Sequence, residues 1–223
     1  MRYESLIFDI DGTLWDSRAL VAEGYNIQLK KEGLSHLCVT AEDLKPLFGK
    51  VMTEIADVIL ATKVMTEIAD VILATIPKEE RYALMQRCMD TENRHLHDDP
   101  CHIGYPGVRE TMEKLSKKYR LFIVSNSQCG YPELCMEKLG IGDLIEGHLC
   151  FGDTGTSKGK TIRTLMEKHN IQSCIYIGDT QGDYEATLEA KVPFLWCAYG
   201  FGKPEGYEKK IEQFADLVEV VDS

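Results

Sequence analysis

Three short stretches carry the side chains that could do chemistry: FDIDGT at 8–13, VSNS at 124–127 and IGDTQGD at 177–183. In an extended strand, residues two apart point to the same side, so Asp9 and Asp11 would face one space. One carboxylate could then act as a nucleophile while the other serves as a proton donor. Gly12 lets the chain turn sharply and brings a backbone N–H close to an anion. Ser125 and Asn126 add a hydroxyl and an amide, and Asp179 and Asp183 add two more carboxylates. Gathered together, these acids would repel one another and raise some of their pKa values. A divalent cation resolves that repulsion, and hard oxygen ligands in a partly hydrated site suit Mg²⁺.

The elements around these stretches explain how they could meet. SLIFDI reads as a buried strand running into an Asp-Gly turn. From residue 100 onward the pattern alternates. YPGVRETMEKLSKKY is a helix with Val108, Met112 and Leu115 on one face, and RLFIVSN is a strand. YPELCMEKLG is a helix closed by Gly140, and GHLCFG is a strand. KGKTIRTLMEKHN is a helix, CIYIGD a strand, GDYEATLEA a helix and PFLWCA a strand. Such alternation predicts a Rossmann-like parallel α/β sheet with helices on both faces, and ligands gather beyond the carboxyl ends of such strands. Residues 16–99 are helical in pattern throughout, with helices expected at 17–31, at 41–48 and from Pro77 onward. They are expected to form an all-helical cap inserted after the first strand, leaving 1–15 and 100–223 as the core.

With the motifs and their order in place, the sequence resembles the haloacid dehalogenase-like hydrolase superfamily, in the phosphoglycolate phosphatase-like group with a helical cap after the first strand. FDIDGTLWDS resembles the family's first motif, IVSNS its second and IGDTQGD its fourth. TGTSKGKTI offers Lys158 and Lys160 for the third-motif lysine. Lys158 is favoured by its place before the helix, although Lys-Gly stands where the family often has Lys-Pro. The resemblance implies phosphoryl transfer to Asp9, giving an aspartyl phosphate, with Asp11 as acid and then base. It implies Mg²⁺ held by the carboxylates of Asp9 and Asp179 and the main-chain carbonyl of Asp11. Ser125, Asn126 and Lys158 would bind the phosphoryl group, and Asp183 would orient a water or Lys158. An acid at position 11 favours phosphate esters over halide displacement. A Schiff base on Lys50 or Lys63, needed for phosphonate cleavage, is set aside in favour of solvated lysines.

The remaining signals bound the function. The net charge of −11 leaves no basic footprint for nucleic acid and argues against an anionic membrane. The short apolar N-terminal run suits neither a signal nor a membrane span, so a cytoplasmic protein is expected. The eight cysteines include no C-x-x-C pair and read as reduced thiols, mostly in the core. GKT at 159–161 lacks the glycine a P-loop needs, because residue 154 is threonine. His95, His97 and His102 read as a solvated link between cap and core, Trp15 as a substrate contact or hinge packing, and CAYGFGKPEGY as a surface loop or, less favoured, a border of the active-site entrance.

Residues 50–62 and 63–75 are the same thirteen residues twice. Thirteen residues at about 100° each overshoot three turns by roughly 220°, so one straight helix cannot keep both apolar stripes on one face. A duplication within the cap, outside the chemistry, is expected. The leading function is a Mg²⁺-dependent phosphatase for a small phosphorylated metabolite, with substrate choice in the cap near Gly49 and Lys50. The alternatives are a sugar-phosphate mutase, a nucleotidase or a pyrophosphatase on the same scaffold, and a non-catalytic binder of phosphorylated metabolites.

Overall fold

Runs of four to six residues become the strands of a parallel sheet, largely buried in β1 (Ser5–Phe8), β2 (Arg120–Ser125), β4 (Cys174–Gly178) and β5 (Phe194–Cys197), while the edge strand β3 (Ile145–Cys150), IEGHLC, is mostly half-buried. A sixth strand, β6 (Lys209–Ile211), completes the order β3-β2-β1-β4-β5-β6, with every neighbouring pair parallel. The computed structural model describes residues 3–51, 54–56, 59 and 78–222. Contacts divide the chain into two compact units, residues 1–16 with 101–223, and residues 17–100.

In the sheet unit, β1 lies at the centre with all four residues buried. A strand covered on both faces must be apolar on both, which explains why SLIF shows no alternation. The topology runs outward from β1 to β2 and β3, then returns to β4 on the other side. The order therefore reverses between β1 and β4, and their carboxyl ends open the crevice where such sheets bind ligands. Phe8 is in register with Ile123 of β2 and with Ile177 of β4.

The helices of this unit follow their apolar spacing. The helix Val108–Leu115 buries Val108, Thr111, Met112 and Leu115, one stripe at helical spacing. Tyr131–Leu139 ends where Gly140 takes φ +64°, and the Gly140 and Ile141 N–H groups return to the Glu137 and Met136 carbonyls. Lys158–Lys168 and Gln181–Ala190 flank the same face, where Ile162, Leu165 and Ala186 pack with Ile7, Phe122 and Tyr176. The sequence pattern gave no sign of β6, of the short helices Phe151–Thr154 and Leu217–Asp222, or of their place in the unit.

The second unit is helical in its described residues, with helices at Arg18–Lys31, Ala41–Leu44 and Lys78–Asp98. The first and last of these approach closely at Gly24, where a Cβ would lie 2.7 Å from the Glu92 Cα. Thr91 Oγ1 donates to Gln28 Oε1 at 2.9 Å across the same contact, and Arg87 pairs with Glu32 at 2.7 Å. His95 and His97 lie in the last helix and not in a linker. His95 Nε2 is 2.9 Å from Glu23 and His97 Nδ1 is 2.9 Å from Asp98. The helix runs through both histidines and stops only at Asp98, two residues before Pro100. Apart from residues 50, 51, 54–56 and 59, the doubled segment lies outside the described residues, and so does Lys63. Among the described residues no helix is long and apolar enough to cross a membrane.

Candidate active site

The acids meet because two strand ends and two helix starts converge. Asp9 follows β1, and its N–H donates to the Ile177 carbonyl at 2.8 Å, so the ladder to β4 extends one residue beyond the strand. The chain then turns at Gly12, where φ is +78° and the N–H bonds to the Trp15 carbonyl at 2.9 Å. A side chain cannot fit there: a Cβ on Gly12 would lie 2.1 Å from Asp179 Oδ2. Asp179 follows β4. Asp183 is the N3 residue of Gln181–Ala190, in a capping box with Thr180. Lys158 opens the helix Lys158–Lys168 behind the N-cap Ser157.

These four side chains are almost completely buried: Asp9 is 3% exposed, Lys158 5%, and Asp179 and Asp183 0%. Lys158 Nζ donates to Asp9 Oδ1 at 2.8 Å and to Asp183 Oδ1 at 2.7 Å. Asp183 Oδ2 accepts from Thr180 Oγ1 at 2.7 Å and from the Thr180 N–H at 2.9 Å. Burial alone would raise the Asp183 pKa, but Lys158 and the Thr180 donors outweigh it and hold the carboxyl low. Burial likewise opposes the charge on Lys158, and Asp183 and Asp9 overcome it, raising that pKa. Asp9 is pushed up to about 7 by burial and by the Asp183 charge, with Lys158 opposing. Asp179 rises well above the carboxylate range through burial, then through Asp183 and Asp9, against one N–H from Phe201.

One more positive charge would fit this arrangement. Asp179 Oδ1 is buried without a hydrogen-bond partner, while Oδ2 accepts from the Phe201 N–H at 2.7 Å. Asp9, Asp179 and Asp183 each offer an oxygen within 4.8 Å of the others. An orphaned buried carboxylate oxygen among like charges is costly, and a hard divalent cation removes that cost. The residues present therefore fit a metal ion. Both oxygens of Asp183 are already engaged by Lys158 and Thr180, which leaves Asp9 and Asp179 as the better direct ligands and Asp183 as the group that holds Lys158.

The other sequence-selected residues lie around this cluster. Ser125 ends β2, is 4% exposed, and its Oγ accepts from the Ser127 N–H at 3.2 Å. Asn126 follows it, half-buried. Because Phe8 is level with Ile123, the end of β2 stands beside the residues after Phe8. Lys160 is exposed on the first turn of its helix, away from the acids. Asp11 lies outside the acid cluster. Its Oδ1 accepts from Trp15 Nε1 and from the Tyr131 hydroxyl, each at 2.8 Å. Trp15 is fully buried and packs edge-on against Tyr131 at 5.4 Å, so its indole holds Asp11.

Two contacts at the site were not foreseen from the sequence. Tyr131 is 120 residues from Asp11, and only folding brings its hydroxyl there. The stretch 197–207, expected to be a surface loop, supplies the Phe201 N–H to Asp179. Gly200 sits so close that a Cβ would be 2.4 Å from the Asp179 Cβ. Glycines grouped after the last clear strand were the signal that could have revealed this close approach.

Residues 6–197 match the haloacid dehalogenase-like hydrolase family. The chain belongs to that family. Among curated relatives of this haloacid dehalogenase-like hydrolase, the phosphoglycolate phosphatase of Photobacterium profundum is 27% identical, covering 97% of this chain and 94% of its own. The phosphoglycolate phosphatase of Agrobacterium fabrum is 29% identical over 87% of this chain and 80% of its own. A solved structure described as a predicted phosphoglycolate phosphatase from Haemophilus somnus superimposes with a TM-score of 0.83 at 20% identity. It covers 100% of this chain and 99% of its own, and it shows the shared fold. The chain is thus an enzyme of this hydrolase family whose likeness is to phosphatases.

Proposed function

We propose that this hydrolase is a Mg²⁺-dependent phosphatase for a small phosphorylated metabolite, with phosphoglycolate the first substrate to try. The observation that carries the reading is the buried pairing of Asp9 with Lys158 beside an orphaned Asp179 oxygen, two residues before a second aspartate. Lys158 binds Oδ1 of Asp9, which leaves Oδ2 for attack on phosphorus. The P–O bond to the leaving group breaks as the bond to Asp9 forms, giving an aspartyl phosphate. Asp11 protonates the departing alkoxide, then removes a proton from the water that hydrolyses the intermediate, restoring Asp9 and releasing phosphate. Ser125, Asn126 and the Lys158 ammonium would hold the phosphoryl oxygens. Asp9, Asp179 and the Asp11 carbonyl would hold Mg²⁺, which when bound supplies Lewis-acid stabilisation of charge on those oxygens. The helical unit, residues 17–100, would serve as the cap that selects the leaving group.

The test is a phosphate-ester panel that includes phosphoglycolate, run with Mg²⁺ and with a chelator. Mg²⁺-dependent phosphate release is expected on at least one small ester, with Asp9→Asn inactive and folded. Isomer formation without net phosphate release would point to a mutase. No turnover on any ester would leave a binding role, and near wild-type turnover in Asp9→Asn would sink the nucleophile assignment.

A further inference from the structure

The end of β3 and the loop after β2 bring together a second ligand set, separate from the acids. Cys129 lies in that loop, Cys150 ends β3, and Asp153 follows within the short helix Phe151–Thr154. The sheet register places Cys150 directly beside Ser125. Asp153 Oδ2 accepts from the Cys150 N–H at 2.8 Å and from Cys150 Sγ at 3.1 Å. Asp153 Oδ1 accepts from Cys129 Sγ at 3.6 Å. The two sulfurs and the carboxylate lie within 4.8 Å of one another. A tetrahedral zinc ion with ordinary bond lengths separates sulfur from oxygen ligands by about 3.5 Å. The sulfur-to-carboxylate distances, 3.1 Å from Cys150 to Oδ2 and 3.6 Å from Cys129 to Oδ1, lie near that edge, so a small turn of the carboxylate would present one oxygen to both sulfurs.

The backbone is shaped to hold this geometry. At Gly152 a Cβ would lie 2.5 Å from the Cys129 N and 2.7 Å from its Sγ. Gly152 also donates its N–H to the Ser127 carbonyl at 3.1 Å, fastening the loop to the helix start. Cys150 is buried, whereas Cys129 and Asp153 are exposed, so the set is open to solvent on one side. His148, two residues before Cys150 and on the same strand face, has a buried Nδ1 without a hydrogen-bond partner. It lines the same surface cavity as Asp153.

We propose that Cys129, Cys150 and Asp153 form a second cation site, one that takes a single thiophilic divalent ion such as Zn²⁺. Thiolate sulfur selects such an ion over Mg²⁺, whereas the all-oxygen cluster at Asp9 and Asp179 has the opposite preference. Binding replaces two S–H bonds with two metal–sulfur bonds and releases two protons to solvent, with no change of oxidation state. The bound ion ties the loop after β2, which begins at Asn126 next to Ser125, to the end of β3. The site does not depend on the phosphatase reading.

The experiment is a Cd²⁺ titration of the reduced full chain with Mg²⁺ in excess, followed by the ultraviolet cadmium–thiolate absorption, which reports sulfur ligands alone. One Cd²⁺ per chain with the intensity of two thiolates is expected, displaced by Zn²⁺ and not by Mg²⁺. Cys129→Ser, an exposed position, should lower the affinity by more than about 100-fold with the circular dichroism unchanged. Asp153→Asn should weaken binding while the bound complex keeps its two-thiolate intensity. Cys38→Ser and Cys101→Ser, at the other exposed cysteines, should change nothing. Absence of the band, or a band that survives Cys129→Ser at unchanged affinity, overturns the site.

Discussion

Replacing Lys158 with methionine tests the electrostatic core of the site. The lysine side chain is almost fully buried, and its ammonium lies 2.8 Å from Asp9 and 2.7 Å from Asp183. Methionine keeps most of the volume and removes the charge, leaving two buried carboxylates without their counter-ion. Removing one partner of a buried pair costs about 3–5 kcal/mol, a large part of the roughly 5–15 kcal/mol that holds a domain together. In metal-free urea denaturation at pH 8 the variant should lose about 4 kcal/mol. The sign of the pH dependence follows from Asp183. Its pKa is held low because Lys158 outweighs burial, so this carboxylate contributes stability above the ordinary value of 3.8. Without Lys158, burial governs, the pKa rises, and the same group destabilises the fold once pH passes its unfolded value. The gap between wild type and variant should therefore widen from pH 5 to pH 8. Lys160→Met, two residues along and exposed, should stay within about 0.5 kcal/mol. A loss below about 1 kcal/mol, a gap independent of pH, or an equal effect at Lys160 would refute the reasoning.

Three further outcomes can be checked on the same protein. Tyr131→Phe removes a hydroxyl donor to Asp11 Oδ1 and should lower kcat about tenfold with KM little changed, as steady-state kinetics would show. Gly12→Ala meets both a φ of +78° and the Asp179 carboxylate, so it should lose at least about 1–3 kcal/mol and need far more Mg²⁺ for half-maximal rate. Mg²⁺ affinity, measured by calorimetry, should be at least about 100-fold weaker at pH 5 than at pH 8, since Asp9, pushed up to about 7, keeps its proton at the lower pH and Asp179, also raised, adds to the competition. An affinity that does not change with pH would contradict the raised Asp9 pKa.

The sequence was legible wherever local spacing determines the outcome. Runs such as SLIF and RLFIVS, short, apolar and followed by turn residues, read as buried strands, with Asp9 just past the first and Ser125 ending the second. The stripe Val108, Met112 and Leu115 and the stop at Gly140 likewise follow from helix geometry alone. Contacts set by tertiary folding were not legible. Tyr131 opens a helix and looks like an ordinary aromatic until the fold sets its hydroxyl on Asp11. Lys158 and Lys160 differ by two positions on one helix, 200° of rotation at about 100° per residue. One is buried between carboxylates and the other faces solvent. The three-residue β6 is too short for a periodic signal, and the Gly200–Phe201 backbone acts through an N–H that every residue except proline carries.

The arrangement of charge explains why the second half of the core is built so tightly around its first strand. Three carboxylates with at most 3% exposure face a single ammonium, so the cluster is short of positive charge even with Lys158 in place. The fold reduces that deficit with oriented donors: Thr180 from both its hydroxyl and its N–H, and Phe201 from its N–H. Each of those donors is fixed by an element that has other reasons to exist, a helix cap for Thr180 and the segment after β5 for Phe201. They do not reach Asp179 Oδ1. A phosphate ester brings more negative charge to the same place, and Lys158 is already shared between two acids. On the proposed reading, a second cation at Asp9 and Asp179 would let an anionic substrate approach the Asp9 carboxylate, with the orphaned Asp179 Oδ1 as the oxygen open to it.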